Sequence, residues 1–484
     1  MSDFTRDELH REVSRSQGLL TSRTAYDRLG RLQRREVFTG PAQRPAPRRW
    51  SRRWDYDWRN QPVREERDDN PFDATRWQYD SSGRLLTQDG AQQERWRWDA
   101  AGNPLESAEL PVRHNRVTQL NGIRWRYDIH GRTTEKAGAQ MRWRYRYDDE
   151  HRLTEVLCEP KERNRPQTQV SFRYDPLGRR ISKTSRRTLN GQAQGKAVTT
   201  RFVWDGFRLL QEIHDGVPLT YVYSDAGSHE PLARIDGLSD PEIYWFHCQP
   251  NGTPERLTDA EGELRWEAEN SAWGKLLRET VLQGPGFAQN LRMQGQYLDR
   301  ETGLHYNLFR YYDPDSGRFT QQDPIGLAGG INLYQYAPNA LSWIDPWGLS
   351  KFFMPTVFNA PSGSTHTVYE QVIDWDLPVN TRSGVKTNLE LALDGKSPFV
   401  VKNGKYSQIN LHHSKQNGLG ALFELSANTH QKYYGTNALH PYLPNPHPTN
   451  PVNRDTFNID RESYWRQRGD KELNNRSLKS KCRG

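Results

Sequence analysis

The chain has 484 residues, a net charge of +8 and 34% hydrophobic residues, with a mean hydropathy of −0.99. So little aliphatic material argues for disorder, but 16 Trp, 22 Tyr and 16 Phe exclude it, because each ring buries about 150–250 Å². No run approaches the about 18 apolar residues of a spanning helix, so a membrane span is excluded. The polar start MSDFTRDELHREVSRS lacks the apolar stretch of a Sec signal. Three cysteines, Cys158, Cys248 and Cys482, have no metal-type spacing and fit synthesis in a reducing cytosol.

At the N-terminus, Thr5-Arg-Asp-Glu8 has the form of a capping box and predicts a short helical segment over residues 1–18. An internal repeat follows: an aromatic-x-aromatic-Asp strand end, a Gly turn, then Arg-Leu or similar. It reads AYDRLGRL from Ala25, WQYDSSGRLL from Trp77, WRYDIHGRTT from Trp125 and FRYDPLGRRI from Phe172. The marker aspartates are Asp27, Asp57, Asp80, Asp99, Asp128, Asp148, Asp175 and Asp205. Asp at the first position and Gly at the fourth suit a type I turn, so each unit predicts a hairpin with aromatic residues on one face. A single hairpin cannot bury that face, so the units must join into a continuous sheet.

Residues 20–349 resemble the YD-repeat proteins of the Rhs family, above all in YLDRETGLHYNLFRYYDPDSGRFTQQDPIGLAGGINLYQYAPNALSWIDPWGL, Tyr297–Leu349. The resemblance implies a mainly β fold: a shell of YD-repeat hairpins, wound as a cocoon or spiral, that encloses a variable C-terminal toxin. On this basis residues 19–295 are the shell, 296–349 the core-terminal segment and 350–484 the toxin. Members usually carry long N-terminal regions, often with a secretion-associated PAAR domain, so this sequence resembles the distal end of such a protein.

The core-terminal segment holds two Asp-Pro-x-Gly-Leu motifs, Asp323–Leu327 and Asp345–Leu349. Each alone is a good type I turn. The Rhs resemblance implies that the pair acts as an intramolecular aspartyl protease, with Asp323 and Asp345 as the carboxylates and the cut between Leu349 and Ser350. Two such groups can share a proton and supply a base for water and an acid for the leaving amine. Arg318 is close enough in sequence to bias their ionisation.

Beyond Leu349 the repeats stop. Residues 350–484 hold 17 Lys and Arg against 11 Asp and Glu, so they carry +6 of the net +8, with six of the 14 histidines. Gln408–His413 predicts a strand ending in two histidines, Ala421–Leu425 a second strand, and Ser426 or Asn428 the cap of a helix bearing His430. Strand, loop, strand and helix in that order, with histidines on the first and last, form the ββα-metal arrangement, here about residues 405–470 of a small α+β domain. The tail resembles the HNH/Endonuclease VII superfamily, in the group named for its Leu-His-His motif, through Leu411-His-His413, Gln416, Glu424-Leu425, His430, Leu439-His440 and Arg461–Arg468. It lacks a clear middle Asn on the second strand.

His412, His430 and His440 are then the expected ligands of one divalent ion, Zn²⁺, Mg²⁺ or Ni²⁺, and His413 the general base, an imidazole titrating near neutrality. A final helix from Asp460 to about Leu473 places Arg461, Trp465 and Arg468 on one face, where they could hold a nucleic-acid backbone. His447 in PYLPNPHPTNP reads as structural and His366 as a surface residue.

These features point to an Rhs-type toxin whose nuclease tail hydrolyses nucleic acid in competing cells, DNA in preference to RNA. The resemblance implies a cognate immunity protein, and export by a contact-dependent, type VI-like system that acts through a further N-terminal region. The alternatives are an RNase toxin, or a non-enzymatic YD-repeat protein that binds carbohydrate or is purely structural.

Overall fold

The computed structural model describes residues 2–9, 11–41, 47–69, 74–225, 228–284, 287–324, 332–349, 354–371, 373–402, 405–413, 416–420, 422–432 and 444–481. Among the described residues, nine strands from Phe4–Arg6 to Glu94–Arg95 form one antiparallel sheet in chain order. Sixteen more, from Gln119–Leu120 to Leu276–Val281, form a second. Each strand alternates: in Gln167–Tyr174, Val170 and Phe172 are buried while Ser171 and Arg173 are exposed. The protein is therefore mainly β, a YD-repeat wall one sheet thick followed by a small α+β tail.

The repeat has a structural reason for each of its residues. At Asp175 the backbone N–H donates to Arg179 O (2.9 Å), and the carboxylate accepts from the N–H groups of Leu177 and Arg179. Arg179 Nε closes the turn on Asp175 Oδ2 at 2.7 Å. Its Nη1 reaches forward to Gly206 O at the next turn (2.8 Å). The aromatic residue before the Asp reaches back: Tyr174 donates to Leu153 O, Tyr56 to Leu32 O, and Trp204 Nε1 to Arg180 O. The turn arginines also sit over the following ring, with Arg31 4.9 Å from the Tyr56 centroid and Arg132 5.1 Å from Tyr147. The Asp thus builds the turn, while the ring and the Arg splice it to its neighbours.

The same logic corrects the N-terminus. Among the described residues of this segment, Phe4–Arg6 and Glu12–Gln17 form strands and none is helical. Asp7 accepts from Leu9 N and Arg11 N, Arg11 Nε closes on it at 2.8 Å, and Arg11 lies 4.6 Å from the Tyr26 ring. Thr5–Glu8 is therefore a further repeat turn, with Asp7 drawn into a hairpin by the Tyr of the unit after it.

The first strands also meet the last ones of the wall. Leu19 N donates to Ala260 O at 2.7 Å, and Gln17 Nε2 to Phe246 O at 3.1 Å. Gly18, at φ +60°, is needed there, because a Cβ would lie 2.3 Å from Ala260 O. Inside, the four-stranded sheet from Tyr297–Asp299 to Arg318–Phe319 packs on the aromatic face of the wall. Phe202 meets Tyr297 and Trp204 meets Tyr306 edge-on at 5.1 and 5.9 Å. Two buried ion pairs join this sheet to the wall: Arg180 with Asp299 at 2.5 Å, and Lys136 with Asp313 at 2.7 Å. A cavity of about 1300 Å³ lies between the wall and the tail, lined by wall residues such as Arg35, Trp50 and Arg256 and by tail residues such as Phe358 and Tyr464.

The tail's mixed sheet runs in the order Met354–Asn359, Thr365–Glu370, Leu422–Ser426, Lys405–His413, Phe399–Lys402. The helix Ala427–Lys432 follows directly on the third of these strands, and Arg454–Lys481 forms a long final helix that extends beyond the predicted bounds at both ends.

Candidate functional site

Two clusters carry chemistry. The first lies where the core-terminal segment ends. Arg310, on the strand Arg310–Asp313, is fully buried, and its Nη2 lies 3.2 Å from Asp323 Oδ2 and 3.4 Å from Asp345 Oδ2. The two aspartates, 22 positions apart in sequence, are thus gathered on one guanidinium. Burial lowers the Arg310 pKa and the two carboxylates oppose that fall. Arg310 Nη1 also donates to Leu333 O (3.1 Å), and its Nε to Gly348 O.

Asp345 in turn organises the residues before the expected cut. Its Oδ1 accepts from Leu349 N at 3.0 Å, and its carbonyl accepts from Asn307 Nδ2 at 2.9 Å. Gly348, at φ +64°, leaves room for Asn307 O, which would lie 2.5 Å from a Cβ. Ser350 and residues 325–331 lie outside the described residues. Arg318, expected beside the pair from sequence proximity, points instead to Asn103, Asn115 and Asn332, and Arg310 takes that place. The motif gave no signal for Arg310, which lies 13 residues before Asp323.

The second cluster is in the tail. Lys405–His413 pairs antiparallel with Leu422–Ser426, with His412 opposite Phe423 and His413 opposite Leu422. Strand alternation sends the two imidazoles to opposite faces. On one face His412 meets His430 of the helix Ala427–Lys432, with His430 Nε2 3.2 Å from His412 Nδ1. On the same face Phe423 stacks on Trp347 at 4.8 Å.

On the other face His413 is buried between Phe457, 4.3 Å away, and His366, 5.5 Å away. Burial, followed by the neighbouring His366, pushes the His413 pKa down to about 3, against a hydrogen bond to the Gly418 backbone that raises it. His413 is therefore neutral at pH 7 and weakly basic, and does not titrate near neutrality as its position in the motif suggests. His366 is likewise no surface residue: it is 3% exposed, with its Nδ1 2.9 Å from Gly420 O.

His412 and His430 fit two ligands of one ion. Nitrogens about 2.0–2.1 Å from a tetrahedral Zn²⁺ lie roughly 3.3 Å apart, near the observed 3.2 Å. Among the described residues no group of three or more His, Cys, Asp or Glu could hold a metal ion. His440 lies outside the described residues.

Residues 243–280 match the RHS protein family, and residues 387–471 match a family described as a nuclease of the HNH/ENDO VII superfamily with conserved LHH. Over 426 residues the chain is 37% identical to double-stranded DNA deaminase toxin A of Burkholderia cenocepacia. The chain is thus similar to proteins of the Rhs family. That alignment covers 82% of this chain and 29% of the relative. Toxin protein Tse5 of Pseudomonas aeruginosa is 33% identical over 72% of the chain and 30% of its own length. Probable deoxyribonuclease RhsA of Dickeya dadantii is 34% identical over 51% of the chain and 16% of its own. The chain thus spans less than a third of each of these relatives. Among solved structures, the Photorhabdus luminescens Tc holotoxin pore aligns with a TM-score of 0.46 at 16% identity, over 72% of this chain and 19% of that one.

The long helix of the tail does not present the expected nucleic-acid face. Trp465 is wholly buried with Tyr464, Ile409, Leu411 and Val368 in the tail core. Arg468 is spent on carboxylates, with Nη1 3.2 Å from Glu370 and Nε 3.1 Å from Glu424. Of the three predicted contacts, Arg461 and Arg468 are part-exposed, but the Arg468 guanidinium is held by these two carboxylates. An i, i+4, i+7 stripe marks a core face as readily as a binding face, and here the aromatic partners decided it.

Glu424 also accepts from Tyr464 (2.6 Å) and from Gln371 N (2.6 Å). Burial raises its pKa against the pull of Arg468. Removing Arg468 strands buried Glu424 and leaves Glu370 with Lys471 as its ion-pair partner, so Arg468→Ala should destabilise the tail by about 3–5 kcal/mol, read as a loss of the tail transition in thermal unfolding. An unchanged transition would contradict this role.

Proposed function

We propose that this chain is a toxin whose tail, residues 350–484, is a metal-dependent endonuclease, and that the chain releases that tail by cutting itself after Leu349. The observation that carries the nuclease reading is the His412–His430 pair beside His413, inside the stretch that matches the LHH nucleases. Probable deoxyribonucleases among the relatives favour DNA.

In this reading His412 and His430 hold the ion, with His440 as the expected third ligand. When bound, the ion supplies positive charge for the scissile phosphate and the leaving oxygen. His413 keeps its imidazole unprotonated at neutral pH and takes a proton from the attacking water as the new P–O bond forms. A base this weak gains the proton only as the bond-making proceeds. The tail's +6 charge draws the polyanion in.

Release rests on the first cluster. Asp323 and Asp345 share Arg310, and Asp345 grips the N–H of Leu349, so the peptide next to the cut is held against Asp345, with Asp323 on the same guanidinium. One carboxylate takes a proton from water while the other gives one to the departing Ser350 amine. Residues 19–295 serve as the container and 296–349 as the releasing segment. The full reading places the toxin in competition between bacteria, exported by a type VI-like system and neutralised in its producer by an immunity protein.

Incubating the cleaved chain with plasmid and with total RNA, each with and without EDTA, tests the nuclease. Plasmid loss that EDTA blocks is the expected result. Loss of RNA alone would favour an RNase, and cutting that EDTA leaves untouched would remove the metal.

A further inference from the structure

We propose that His366 is a positioning residue for His413, which rests on the nuclease reading above. His366 lies before the stretch that matches the LHH family, on the strand Thr365–Glu370, and no motif singles it out. That strand pairs in parallel with Leu422–Ser426, the strand that also pairs with the His412-His413 strand. The fold thus carries His366 to His413 across 47 positions of sequence.

Three observations define its role. First, His366 is itself fixed. Its Nδ1 lies 2.9 Å from Gly420 O, and a carbonyl oxygen only accepts, so Nδ1 carries the proton and the tautomer is set. Second, its ring meets the His413 ring edge-to-face at 5.5 Å and 81°, while Phe457 closes on His413 at 4.3 Å. The His413 ring is held between them, with little freedom to turn. Third, the anchor of His366 lies in the short segment Gln416–Gly420, through Gly420 O.

The loop is itself pinned. Gly418 N donates to Asn450 O at 2.8 Å, and Asn417 bridges to Pro451. A Cβ at Gly418 would lie 2.9 Å from Pro451 O, so a larger residue would push the loop off this support. His366 therefore transmits the loop's fixed position to the ring that must receive the water's proton. Orientation of this kind is worth up to about 100-fold in rate for a misplacement of 1 Å.

The test uses the full chain, assayed on plasmid with His366→Phe, His366→Asn, His413→Ala and the double variant His366→Phe/His413→Ala. Phe keeps a ring edge but loses the anchor to Gly420 O. Asn places an amide N–H near the position of Nδ1 and keeps the anchor. His366→Phe should lower kcat by about 10-fold or more, with KM and the thermal midpoint unchanged, and His366→Asn should recover most of that loss.

Because His366 acts through His413, the double variant should be no slower than His413→Ala alone. Wild-type kcat in His366→Phe, or an equal further loss in the His413→Ala background, would overturn the proposal while leaving the nuclease reading intact. If His413→Ala itself cuts as fast as wild type, the role of His413 falls first and the proposal with it.

Discussion

Asp323→Asn should leave the chain whole at its full 56.4 kDa, whereas the unaltered chain should divide between Leu349 and Ser350. The substitution keeps size and hydrogen bonding but removes the carboxylate that can take a proton from water. It also removes one of the two carboxyl groups held on Arg310 Nη2. Loss of a general base costs about 10²–10⁴ in rate, enough to make cleavage invisible on a gel over hours. Asp345→Asn should behave alike, since its amide oxygen can still accept from Leu349 N and keep the peptide in place. Gel electrophoresis shows the result, and N-terminal sequencing of the wild-type fragment should begin at Ser350. Full release from either Asn variant would rule out the aspartate pair.

His413→Ala should abolish plasmid cleavage, by about 10²–10⁴ in kcat, if that imidazole is the base. His413 sits between Phe457 and His366 rather than in solvent, so truncation also opens a gap in the tail. A parallel thermal melt therefore accompanies the assay, and His413→Gln, which fills more of that space, serves as the partner variant. His412 lies on the opposite face with His430, so the metal affinity of the His413 variants should match wild type. Cleavage at wild-type speed in both variants would exclude His413 from the chemistry.

The parts of this protein that were legible in its sequence are those built from neighbours in the chain. A marker aspartate finds its partners two and four residues on, as Asp175 does with Leu177 and Arg179, so the repeat spells out its own turns. The strand before His413 and the helix carrying His430 were legible for the same reason. Asp7 was missed because FTRD lacks the aromatic residue directly before the Asp. Its turn is recognised by the Arg11 contact to Tyr26, a residue of the next unit.

Composition began as a conflict between too little aliphatic core and too many rings, and the wall resolves it: a wall one sheet thick needs aromatic bands on one face more than a solid interior. That much the sequence determined, because strand alternation and Asp-x-x-Gly turns are local. Only the tertiary structure decided where the long side chains ended. Arg468 and Trp465 were claimed by Glu370, Glu424 and the tail core, not by solvent, since desolvated carboxylates nearly 100 residues away in one case bind a guanidinium more strongly than water does. Arg310 was placed between Asp323 and Asp345, and His366 against His413, by strand pairings that bring distant segments side by side, and no local pattern encodes those partners.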